Sequence, residues 1–139
     1  MISVEDIMFF ELRKIIEPDG NLIPIELTTD IPFDVKRIFY VYGVEDQNDR
    51  GKHAHHTTEQ VLICIKGTVE VRCKDSVDIR RWILNSPGKA LYVPNLIWDE
   101  QIYFDRDSIL LVLSNTSYDK NDYIDDWHEF VKIKTEEIE

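Results

Sequence analysis

His53 and His55 are separated by one alanine, and Glu59 follows four residues after the second imidazole. Alternate side chains of an extended strand share a face, so His53 and His55 are expected to converge with Glu59 in one cavity while His56 looks away. Two imidazoles and a carboxylate in one pocket can move protons or hold a metal ion. Histidine ionises near neutral pH, with an unperturbed pKa of about 6.5, so a pair of them can take a proton from one position and deliver one to another. His128, the fourth histidine, falls in a helical stretch and reads as a surface residue.

A set of short strands must position these groups. The chain predicts strands at Phe9–Ile15, Asn21–Glu26, Val35–Tyr42, Gln60–Lys66, Thr68–Lys74, Val77–Leu84, Ala90–Val93, Ile97–Tyr103 and Ser108–Ser114. Turn signals such as Pro18-Asp19-Gly20, Lys66-Gly67 and Ser86-Pro87-Gly88 separate them. Gln60–Ile65 and Ile109–Leu113 are almost continuously apolar, which suits strands covered on both faces; Val69, Val71 and Cys73 alternate with Glu70 and Arg72, which suits a half-exposed one. Many short strands at this spacing indicate an all-β sandwich, jelly roll or small barrel. Ile124, Trp127, Phe130 and Val131 then take helical spacing, with Asn121 or Asp122 as the expected cap of a short C-terminal helix. At 139 residues, 43% of them hydrophobic, the chain reads as a single domain spanning 1–139.

The net charge of −11 argues against nucleic acid or an anionic membrane as partner, since both require a basic face. The acid is concentrated at the end: residues 119–139 carry eight acidic and three basic side chains, whereas acidic and basic groups balance over residues 34–56. The histidine segment therefore lies in a locally neutral stretch flanked by Arg37 and Arg50, which suits an anionic small molecule. Cys64 and Cys73 form no CxxC motif and read as buried thiols of a reducing, cytoplasmic protein. No signal peptide or apolar run of membrane-spanning length is evident.

The His-x-His and Glu pattern, with Gly67, Gly88 and Pro94 at later positions, resembles the cupin motifs. The resemblance implies a metal set of His53, His55, Glu59 and Asp99, the last standing where the pattern places a third histidine. More specific strings run over about residues 10–132. They include Val35-Lys36-Arg37-Ile38-Phe39-Tyr40, Arg50-Gly51-Lys52-His53-Ala54-His55, Leu91-Tyr92-Val93, Ile97-Trp98 and Asp122-Tyr123-Ile124. These are similar to the nucleotide-sugar 3,4-ketoisomerases of the cupin superfamily. That resemblance implies a dimeric, metal-independent jelly roll acting on dTDP-4-keto-6-deoxyglucose, with an N-terminal strand that often crosses to the partner subunit. No cofactor is implied, because two carbons exchange oxidation states internally.

At the matching positions, His53 and His55 are the expected acid/base pair, and which of them is the primary base stays open. Tyr40 is a candidate donor to a substrate oxygen, and Glu59 a candidate orienter of a histidine. Arg37 and Arg50 are candidates for the diphosphate, because guanidinium binds phosphate through two parallel hydrogen bonds; Lys52 is expected to point away. Tyr92, Trp98 and Asp99 are candidates for the wall of the sugar site. The family often carries Arg where this chain has Asp19 and His where it has Asp99, which leaves the C4 configuration of the product open. The rival readings are a sugar epimerase of the same architecture, a metal-dependent cupin oxygenase, and a non-catalytic sugar-binding domain.

Overall fold

The computed structural model describes residues 1–45 and 48–138. Two five-stranded antiparallel sheets face one another. The first has the order β1 (Met8–Glu11), β9 (Lys89–Val93), β6 (Gln60–Lys66), β11 (Ile109–Ser114), β4 (Arg37–Val41). The second has the order β12 (Tyr123–Ile124), β5 (Asp49–His55), β10 (Trp98–Tyr103), β7 (Val69–Lys74), β8 (Ile79–Leu84). A small hairpin, β2 (Ile15–Glu17) with β3 (Gly20–Leu22), stands apart. This is the jelly-roll architecture expected, closed at the chain end by helix α1 (Trp127–Ile138). Among the described residues no helix is long and apolar enough to cross a membrane.

Alternation divides the apolar residues into three layers. Leu62 and Cys64 of β6 join Val69, Val71, Cys73, Leu91, Leu110 and Val112 in the core between the sheets. Val61 and Ile63 of the same strand pack outward with Leu12, Ile31, Ala90 and Leu113. Both faces of β6 are therefore covered, which is why its sequence lacks polar alternation. On the outside of the second sheet, α1 brings Phe130 and Trp127 onto Ala54, Trp98 and Ile124. Burial on this scale contributes about 25 cal/mol for each Å² of apolar surface removed from water.

Several boundaries depart from the periodicity. The expected Phe9–Ile15 strand divides into β1 and β2, and the expected Asn21–Glu26 strand ends at Leu22 as half of the β2–β3 hairpin. Lys120–Asp122 is a 3-10 turn and Tyr123–Ile124 is a strand, so the helix begins later than expected and is capped by Asp126, whose carboxylate accepts from His128 N–H at 3.0 Å. Tertiary bonding overrides the helical pattern here, because Asp122 is tied to Thr57 and Thr58 and draws the next two residues onto β5. Cys64 and Cys73 are buried free thiols on strands of different sheets.

Candidate active site

The inner face of β5 carries the imidazole pair. Register sets its neighbours: Tyr123 of β12 stands opposite His55, and Asp99 of β10 stands opposite His53, with Cys73 of β7 beyond it. The rings of His53 and His55 meet edge to face with centroids 5.0 Å apart. Tyr123 covers both, at 4.9 Å from His53 and 4.6 Å from His55. Between the two histidines, Ala54 points outward beneath α1. A small residue is what the spacing His-Ala-His requires where a helix seats on the back of the strand.

The strand is not regular upstream. Gly51 and Lys52 both have positive φ, 81° and 61°, and the ladder slips between Asp99 and Glu100. Asp99 pairs with His53 and Glu100 with Gly51, so Lys52 is the extra residue of a bulge. Plain alternation would place Arg50 with Lys52 on the outer face. The bulge reverses it: Arg50 stands opposite Gln101, on the inner face with Asp99, and its charge stabilises the ionised form of buried Tyr103. Lys52 stays outside, paired with Asp49 at 3.0 Å. Gly51 is required by contact as well as by φ, since a Cβ there would lie 2.9 Å from Asp99 Oδ1.

Electrostatics separates the ionisable groups. Burial pulls the His55 imidazole down to about 4; the charge of His53 acts in the same direction, and Asp122 opposes it. His55 is therefore uncharged at neutral pH. Asp99 is 2% exposed, and burial pushes its carboxyl up to about 6, against the pull of His53 and of a hydrogen bond from Gln101. Arg37, half-buried at the start of β4, stacks over Phe39 at 4.5 Å and Tyr118 at 5.3 Å, and its field reaches His55.

The structure thus brings His53, His55 and Asp99 together on the inner side of the second sheet, with Arg37 near enough for its charge to reach His55, while Arg50 lies further along β5 and is exposed. It does not gather four other candidates. The Glu59 carboxylate is held by the Tyr92 hydroxyl and by Asn115 Nδ2, the latter at 3.0 Å, so Glu59 does not orient a histidine. Tyr92 itself packs outside the first sheet, 6.3 Å from Phe33. Trp98 precedes Asp99 and so faces the other way, edge to face with Trp127 at 5.4 Å under the helix. Tyr40 is 64% exposed beside Tyr42, because Phe39 and Val41 take the core side of β4. Among the described residues no three His, Cys, Asp or Glu side chains converge as metal ligands, so Glu59 and Asp99 do not complete the four-ligand set that the cupin pattern implied. Asp19 lies in the exposed turn between β2 and β3. Tyr123 and Asp122 were legible only as a matched string; nothing in their spacing from the histidines showed that they would close over them.

An imidazole pair inside an antiparallel double-sheet barrel, with a buried carboxylate across the ladder from one ring and the charge of Arg37 reaching the other, is the site that this cupin fold presents. The chain belongs to the family described as FdtA: WxcM-like, C-terminal, whose model matches residues 5–135. It is 38% identical over 120 residues, 86% of each chain, to the TDP-4-oxo-6-deoxy-alpha-D-glucose-3,4-oxoisomerase of Aneurinibacillus thermoaerophilus. The fold is similar to that of QdtA, a sugar 3,4-ketoisomerase from Thermoanaerobacterium thermosaccharolyticum solved in complex with TDP, with a TM-score of 0.93, 34% identity and coverage of 98% of this chain and 99% of that one. It is also similar to WlaRA, a TDP-fucose-3,4-ketoisomerase from Campylobacter jejuni, with a TM-score of 0.89, 33% identity and coverage of 96% and 99%.

Proposed function

We propose that this protein is a cytoplasmic isomerase that converts dTDP-4-keto-6-deoxyglucose to a dTDP-3-keto-6-deoxyhexose. The observation that carries the reading is the edge-to-face pair of His53 and His55 on the inner face of β5, in a chain 38% identical to a 3,4-oxoisomerase over most of its length.

The chemistry is a paired proton transfer. A base removes the proton from C3; the C–H electrons form the C3–C4 double bond, and the C4 oxygen becomes an enediolate oxygen. A proton then adds at C4 while the C3 hydroxyl loses its own, restoring a carbonyl at C3. C3 is oxidised and C4 reduced by the same electron pair, so no external oxidant enters. His55, unprotonated at neutral pH, is ready to receive a proton, and the negative diphosphate raises its basicity when substrate is seated. His53, on the same face, delivers a proton to the enediolate. Arg50 and Arg37 flank the pair and take the diphosphate charge.

Two copies pair through the outer face of the first sheet. Tyr40 and Tyr42, with Ile65, Ile109 and Leu111, line an exposed apolar cavity of about 330 Å³ beside the edge strand β4. A patch of this kind, left open on a chain with so high a net charge, marks an association surface. Within one chain β1 pairs with its own β9, so a strand crossing to a partner would exchange this pairing.

Proton NMR of dTDP-4-keto-6-deoxyglucose with the protein in deuterated buffer tests the activity. Movement of the ketone to C3 with deuterium at C4 is the expected result. Deuterium at C3 or C5 with inverted configuration and the ketone still at C4 would identify an epimerase instead. Retained affinity without turnover would identify a binding domain.

A further inference from the structure

We propose that Tyr123 is a positioning residue for the histidine pair: its ring, packed against both imidazoles from the neighbouring strand, keeps water off His55 and holds the two rings at the angle from which they exchange protons with substrate. The inference rests on the acid/base reading of the pair and adds the side chain that sets the pair's state before substrate is seated.

Three rings form one cluster. Tyr123 lies 4.6 Å from His55 with the planes inclined at 60°, and 4.9 Å from His53 at 70°. The imidazoles meet each other at 5.0 Å and 80°. Each ring touches the other two, so each limits how far its neighbours can turn. The contact follows from the ladder, because Tyr123 stands directly opposite His55 on an adjacent antiparallel strand.

The covering ring is itself held on two sides. Asp122, the residue before it, accepts the N–H and hydroxyl groups of both Thr57 and Thr58 through its carboxylate, and its carbonyl accepts the His56 N–H at 2.9 Å. The chain just after His55 is thereby tied to the chain just before Tyr123. On the other flank Tyr118 packs on Tyr123 at 5.9 Å, and the Arg37 guanidinium lies over Tyr118.

His55 is 5% exposed, whereas His53 is half-buried. An imidazole taken out of water loses the hydration that favours its charged form. The ionisable groups acting on His55 are His53 and His56 from its own segment, Asp122 from the β12 side and Arg37 from β4, with Tyr123 in contact. Only Asp122 favours the charged imidazole; burial, aided by the three basic groups, prevails. Tyr123 adds to the burial by filling space that water would otherwise take.

The test compares Tyr123→Val with Tyr123→Phe. Valine suits the strand but uncovers the rings; phenylalanine keeps the cover and removes the hydroxyl. Proton NMR of the imidazole Cε1–H in the free protein reads the titration of His55, and steady-state kinetics reads kcat and KM across pH. Slow exchange of the Thr57 and Thr58 amides reports that β12 is seated. In Tyr123→Val the His55 midpoint is expected to rise from about 4 towards about 6.5, with the acid limb of kcat/KM moving the same way. Its kcat is expected to fall about 100-fold, as for a misplaced reacting group, with KM within about threefold. Tyr123→Phe is expected to keep the parent midpoint and a kcat within about threefold. An unchanged His55 midpoint in Tyr123→Val would overturn the proposal. So would a Tyr123→Phe protein as slow as Tyr123→Val, since the hydroxyl and not the cover would then be what the reaction needs. The imidazole titration uses no substrate, so a protein without isomerase activity and a Tyr123 without effect on His55 are separate results.

Discussion

Asp122 Oδ2 accepts both the backbone N–H of Thr58 at 3.0 Å and its hydroxyl at 2.5 Å, while Oδ1 takes the same two groups of Thr57. This one carboxylate fastens β12 to the turn after β5, and so sets Tyr123 on the histidine rings. Asp122→Ala is expected to cost about 2–3 kcal/mol in urea unfolding, since it leaves partly buried donors without acceptors. Turnover should fall further than that loss of folded protein explains. A variant of unchanged stability would remove the clamp from this account.

His55→Asn is expected to abolish ketone migration while calorimetry still detects TDP binding. In the proposed mechanism the imidazole accepts the proton, and the arginines hold the diphosphate without it. Full activity in this variant would exclude His55 as a proton-transfer group.

Acid stability separates the two buried groups by sign. The His55 pKa falls from 6.5 unfolded to about 4 folded, so the unfolded state binds the extra proton and stability drops as pH falls from about 6.5 towards 4. For Asp99, raised from 3.8 to about 6, the folded state binds the proton and stability grows as pH falls from about 6 towards 3.8. The slopes oppose each other over most of one window. Denaturant titrations at pH 7 and pH 5 should therefore show Asp99→Asn losing about 1–2 kcal/mol more than the parent between the two pH values, and His55→Asn losing less. Parallel pH dependence in all three proteins would contradict the assignment.

Gly51→Ala combines a left-handed φ of 81° with a Cβ 2.9 Å from Asp99 Oδ1. The expected cost is about 1–3 kcal/mol, with loss of turnover because the bulge that turns Arg50 inward is disturbed. Thermal melts and steady-state rates measure the two effects together.

Tyr40→Asp places a charge on the exposed face of β4 without touching the interior. Sedimentation should show monomers with an unchanged circular dichroism spectrum. A dimer that persists would move the association surface elsewhere.

The sequence carried most of the architecture, because binary patterning is a local property. Val69, Val71 and Cys73 announce their common face, and the apolar run of β6 announces burial on both sides. The histidine pair was legible for the same reason. What escaped was any feature set by pairing between distant strands. Glu59 has the right spacing to join His55 only if the strand continues, yet the chain turns at residues 56 and 57 and Asn115 and Tyr92 capture the carboxylate. Trp98 and Asp99 were both candidates, but neighbours on a strand cannot share a face. Tyr40 fails by parity with Phe39. Arg50 comes to stand opposite Gln101 only through a bulge whose signal, a glycine before a lysine, reads equally as a turn. Tyr123 sits in a helical pattern that Asp122 overrides.

Strand β12 is two residues long, yet it makes β5 an interior strand of its sheet. Without it, the unpaired amides and carbonyls around Ala54 and His55 would form an open sheet edge, ready to recruit another chain. Tyr123 and Ile124 thus guard the protein against self-assembly, while Tyr123 covers the two histidine rings on the inner side. Damage to this short segment would uncover the histidine rings and the sheet edge at the same time.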